Sequence, residues 1–117
     1  MLNLSHKKLE VFKESKLLCK EIYLICKLLP AEEKYNLSQQ LKRAAISVCS
    51  NLAEGSSRKS LVERKRYYEM SRGSIVEIDT QIELAILLKF ITEPDILQLT
   101  SHVISTFKML TGMINKE

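Results

Sequence analysis

Apolar residues recur at three- and four-residue steps along most of the chain, and the breaks between these runs divide it into four helices. The clearest run is Leu37, Leu41, Ala44, Ala45, Val48 and Leu52, and the stretch Gln39 to Ser60 around it is the one the rest is organised on. Gly55 is expected to stop this helix, and Asn36 with Gln39 has the spacing of a capping box that starts it. Upstream, Ser5 is placed to cap a first helix in which Leu9, Phe12, Cys19, Tyr23 and Cys26, widened by Leu18, Ile22, Ile25 and Leu29, fall at helical spacing before Pro30. The segment Pro30 to Tyr35 reads as a turn or a short helix.

Downstream, Ser60 and Glu63 offer a capping box for a third helix that the pattern extends from about Leu61 to Phe90. Two apolar faces compete along it. Tyr67, Met70, Ser74, Gln81, Ala85 and Leu88 read as the face toward the helix's own bundle, with Gly73 admitting a neighbouring backbone. Ile75, Ile78, Ile82 and Ile86 form a second stripe that one core does not obviously consume, which predicts burial between subunits. The link Thr92 to Asp95 then leads into a fourth helix carrying Ile96, Leu99, Val103, Phe107, Leu110 and Ile114 inward. Short links make antiparallel neighbours, so the expected fold is all-α, an antiparallel up-down four-helix bundle.

Composition narrows the setting. The chain has 117 residues, 45% hydrophobic, with three Gly and two Pro. That length makes one domain, 1–117, able to bury roughly two-thirds of its unfolded surface without disulfide or metal. The opening MLNLSHKKLEVF lacks the apolar core of a signal peptide, and no apolar run approaches the ~20 residues of a membrane span. A cytoplasmic protein with no membrane contact is expected.

The chain carries little catalytic chemistry. Ser47, Ser50 or a cysteine would need a histidine base, and neither His6 nor His102 lies on the two middle helices. Nor does an arginine precede either histidine at the spacing of helical ribonucleases. There is no glycine-rich phosphate loop, and Glu54, Glu63 and Glu77 come with no substrate cleft. The histidines have no ligand pattern around them, and Cys19 and Cys26 share a helix face but sit too far apart to bridge. No enzyme activity, metal or other cofactor is expected.

Two polar groups of residues remain. Arg43, Ser47, Asn51 and Glu54 follow the helical step beside the apolar stripe, where a hydrogen-bonded seam within the chain or between subunits would use them. The second group sits where the charge is uneven. Residues 58–72 hold six basic and two acidic groups within a net charge of +4. Arg58, Lys59, Arg64, Lys65 and Arg72 make a basic strip with Tyr68 among them, suited to neutralising phosphates while the tyrosine stacks on an unpaired base. Solubility alone is the competing role for this strip.

The runs RAAISVCSNLAEGSSRKS and YYEMSRGSIVEIDTQIELA, with IYLICKLLPAEEKYNLSQQL upstream, resemble the bacterial four-helix bundle proteins encoded in ribosomal-RNA intervening sequences, a family related to accessory proteins of diversity-generating retroelements. Arg43, Ala44, Ser47, Asn51, Ala53, Glu54 and Gly55 match the first motif, and Gly73, Ser74, Glu77 and Gln81 the second. Cys49 departs from the Pro or Ala often found after the valine. The resemblance implies a barrel-like ring, commonly of five subunits. Together with the basic strip it leads to the expectation of a noncatalytic homo-oligomer that binds RNA or DNA. The alternative is an adaptor for a nucleic-acid-handling protein such as a reverse-transcriptase-like polymerase.

Overall fold

The structure is a computed structural model that describes residues 1–116. A 3-10 turn, Ser5–Lys8, precedes α1, Glu10–Cys26; then come α2, Leu37–Ser56, α3, Leu61–Leu87, and α4, Leu97–Asn115. Each helix packs on its neighbours in sequence, and α4 returns to α1. At about 1.5 Å per residue α3 is roughly 40 Å long, close to the longest extent of the molecule, 44 Å. The four-helix, all-α expectation holds among the described residues.

The core follows the apolar pattern on α2 closely: Leu37, Leu41, Ala44, Ala45, Val48 and Leu52 are all buried. Val11, Leu18, Ile22 and Ile25 meet them from α1, and Leu99 and Leu110 from α4. On α3 the phase differs from the sequence reading. The buried face is Tyr68, Ser71, Ser74, Ile75, Ile78, Ile82 and Ala85, while Met70 and Leu88 are exposed. Ile75, Ile78 and Ile82 therefore belong to the chain's own core, with Ile86 half-buried on its flank, and they form no free face for a second subunit. The physical reason is Ser71. It is fully buried and donates to the Val48 carbonyl at 2.7 Å, so a small polar side chain satisfied by the α2 backbone lies on the buried face of α3.

Both glycines with an assigned role behave differently. The helix runs through Gly55 to Ser56, and no glycine among the described residues has positive φ, so Gly55 is not a stop. A Cβ there would lie 2.8 Å from the Tyr67 Cβ and 3.2 Å from the Arg64 carbonyl oxygen; Gly55 is where α3 crosses α2 most tightly. Gly73 is exposed, and a Cβ on it would meet nothing within 4 Å. No packing contact within the chain requires glycine at that position.

Helix ends are set by local bonds. Ser60 accepts from the Glu63 amide at 3.3 Å, and Thr92 with Asp95 forms a full capping box on the 3-10 turn leading into α4. The other two caps do not form. Ser5 opens the 3-10 turn instead of α1, and the Asn36 side chain bonds Glu33 and Gln40. α3 ends earlier than Phe90 because Lys89 takes φ of 64° and the Phe90 amide bonds back to Ala85, with Lys89 to Ile86. That is a Schellman motif built without glycine.

Candidate nucleic-acid interface and polar groove

The four-residue link 57–60 brings the end of α2 and the start of α3 into one corner, and the arginines there are engaged with the protein. Arg58 donates to the Tyr67 hydroxyl at 3.0 Å, lies over its ring at 4.9 Å, and sits 3.5 Å from a Glu54 carboxylate oxygen. Arg64 donates to the carbonyls of Arg58 and Lys59 at 2.9 and 2.8 Å, holding the link against α3. Arg72 turns the other way. Its guanidinium donates to Thr111 at 3.1 Å and covers Phe107 at 5.6 Å, tying α3 to α4.

The basic strip is therefore not one uninterrupted face. Tyr68 is 6% exposed, with its hydroxyl 3.3 Å from the Ser56 oxygen, so it is a core residue and cannot stack on a base. Lys59 and Arg66 are exposed at this corner and Lys65 is half-buried. Arg66, outside the strip expected from the sequence, is exposed on the side of α3 opposite the buried Tyr68 and Ser71. The signal that would have found it is the helical phase set by the buried serines.

The polar seam also changes partners. Arg43 and Glu54 are exposed, Ser47 and Asn51 half-buried, and no hydrogen bond joins any two of the four; Glu54 pairs with Arg58. Asn51 belongs to no buried network within the chain. Arg43 and Ser47 instead face across an open crevice of about 380 Å³, lined with Gln40 and Ala44 from α2 and Ser74, Glu77 and Gln81 from α3. The Gln81 side-chain oxygen is buried there without a protein partner. Residues of both sequence motifs thus converge on one groove, and the step from Ser74 to Glu77 to Gln81, the same helical spacing as Arg43 to Ser47, was the sequence sign of it.

A model of the 23S rRNA-intervening sequence protein family matches residues 7–112, which spans both motifs, the first three helices and most of α4. The chain belongs to that family. A crystal structure of a protein of unknown function, from the S23 ribosomal protein family of Bacteroides thetaiotaomicron VPI-5482, superposes on it with a TM-score of 0.82. Identity is 21%, over 91% of this chain and 99% of that one, so the likeness speaks for the fold. No curated protein matches the sequence.

The other polar sites of the chain offer less. His6 is buried, edge-on to Phe12 at 4.6 Å, and lines a crevice that also includes Ser50 and Glu54, but no hydrogen bond joins it to either. His102 lies 3.1 Å from a Glu14 carboxylate oxygen, linking α4 to α1. Among the described residues no cluster of His, Cys, Asp and Glu could hold a metal ion, and no helix is long and apolar enough to cross a membrane.

Proposed function

We propose that this protein is a noncatalytic RNA-binding module that engages phosphates through the corner between α2 and α3. The observation that carries the reading is the cationic surface there. Lys59 and Arg66 are exposed, Lys65 is half-buried, and Arg58 retains 37% side-chain exposure beside them. Against them stand Glu63 and Glu69, since Glu54 is shared with Arg58. Arg64 acts from behind by fixing the link, so the backbone that carries Arg58 and Lys59 is held in place before binding. Membership of a family named for 23S rRNA intervening sequences agrees with an RNA partner.

Contacts of this kind neutralise phosphates and do not read bases, which makes sequence preference weak and salt dependence strong. For about three phosphates on a single strand, affinity should fall roughly 20-fold between ~50 and ~200 mM salt. Filter binding with generic RNA measures this. Reversing Lys59, Lys65 and Arg66 to Glu is expected to abolish retention, while Tyr68→Phe leaves it unchanged. Failure of the parent protein to hold RNA at low salt would overturn the proposal.

Self-association is part of the same reading, because copies of a weak corner multiply along one strand. The surface available for it is not the isoleucine stripe. A shallow apolar groove runs between α3 and α4, with Val76, Ile104 and Phe107 at its exposed edge and Asp79 and Lys108 on its rim. Its exposed apolar side chains also support the alternative of a protein adaptor, which would bind its partner even where RNA is not retained.

A further inference from the structure

The outer face of α1 belongs neither to the corner between α2 and α3 nor to the α3–α4 groove. Lys13, Lys16 and Lys20 are exposed along it, and Lys27 at its end. From Lys13 to Leu28 no exposed residue is acidic: Glu14 is half-buried against His102, Glu21 is half-buried, and the exposed Glu10 lies at the helix start. No ion pair among the described residues includes any of the four lysines. The alternation of Lys and Glu along this stretch of sequence thus does not become a set of paired charges in the fold.

The same face is also apolar. Leu17, Leu24 and Leu28 are 41%, 45% and 52% exposed. At 3.6 residues per turn Lys13, Lys20 and Lys27 form one row, about 21 Å long, and the three leucines form a second row roughly 60° around the helix from it. Lys16 flanks the lysine row on its other side. Beyond it Lys42 of α2 lies over the exposed Tyr23 ring at 5.1 Å, which adds a fifth cation to the border.

We propose that this face of α1 rests on an anionic phospholipid bilayer. The lysine stems carry their ammonium groups to the lipid phosphates and carboxylates, while the leucine row enters the boundary between headgroups and acyl chains. Charge complementarity selects a polyanionic partner, and the leucines select among polyanions. An RNA strand would use the lysines and leave the leucines in water, whereas a bilayer uses both rows at once. No helix is long and apolar enough to cross a membrane, but lying on its surface requires no span.

Co-sedimentation of the full chain with vesicles tests this. It is expected to bind vesicles of phosphatidylcholine with about one-third phosphatidylserine, not phosphatidylcholine alone, and to come off as salt rises. Each lysine near such a surface contributes about fivefold to partitioning, so Lys13, Lys20 and Lys27→Glu together should lower it by roughly 100-fold or more. Neutralising the other basic surface, with Lys59, Lys65 and Arg66→Gln, should change it by no more than about threefold. All the α1 side chains replaced are exposed, and far-ultraviolet circular dichroism checks that the helices remain.

Immersion is read separately. The chain has no tryptophan, so Leu24→Trp carries a single reporter in an otherwise unaltered protein. Its emission should shift to the blue with the anionic vesicles and stay unshifted with a short oligouridylate. Failure to bind the anionic vesicles, a bound chain whose tryptophan stays in water, or loss of binding in the corner variant instead of the lysine variant would each overturn the proposal. Oligouridylate binding that is lost with the α1 lysines, beside an unshifted reporter on vesicles, would give the face to RNA instead.

Discussion

Glutamate in place of Ile78 is expected to remove the folded state, with helical circular dichroism lost rather than an oligomer dispersed. Ile78 is 0% exposed, between Ile75 at 1% and Ile82 at 6%. Losing its apolar contacts costs about 2 to 5 kcal/mol, and an unpaired carboxylate adds several more. A domain of this size holds only about 5 to 15 kcal/mol of stability in total. Val76, two residues away and 53% exposed, is the control. Val76→Glu should keep its helicity and thermal midpoint, and in light scattering it should shift any oligomer toward monomer. A folded Ile78→Glu with an unchanged midpoint would return the isoleucine stripe to a contact between subunits.

The second large effect is a pair of opposite sign from one chemical change. Gly55→Ala is expected to destabilise the chain by about 1 to 3 kcal/mol, even though alanine favours a helix by about 1 kcal/mol. Its Cβ would press on the Tyr67 Cβ and the Arg64 carbonyl, neither of which is the free end of a flexible side chain. α3 must then move off α2. Gly73→Ala meets open space and should show the propensity gain alone, about 1 kcal/mol in the stabilising direction. Urea denaturation separates the two, and equal shifts in both variants would remove the tight crossing from the account.

These two helices also show how far the sequence could be read. On α2 the buried positions apart from Ser38, in its first turn, and Gly55 are all apolar, so periodicity alone finds the face. On α3 Ser74 and Ala85 are buried as read, but Ser71 also lies in the buried arc and Met70 outside it, so counting apolar residues splits one face into two and leaves the isoleucines without a home. That error carried over to Tyr68, which the wrong phase turned outward. The arginines were legible as charges but not as bonds: whether Arg64 faces solvent or two carbonyls depends on where the link folds back, and no spacing rule encodes that. The motif residues were recognisable as a pattern. Their convergence on one groove required the register between α2 and α3, which Gly55 and Ser71 set in space.

The short link between α2 and α3 has a consequence for how the chain comes together in time. Closing four residues costs little chain entropy, whereas the Glu14 to His102 contact joins residues 88 apart in the chain of 117. The α2–α3 hairpin, with the most extensive packing in the molecule, is thus the half that can form early, and α4 docks onto it late. Once folded, the same asymmetry persists as unequal opening. Backbone amides of α4 should exchange with deuterium at a lower opening free energy than those near Val48 and Ile78, and uniform protection across the four helices would contradict that order.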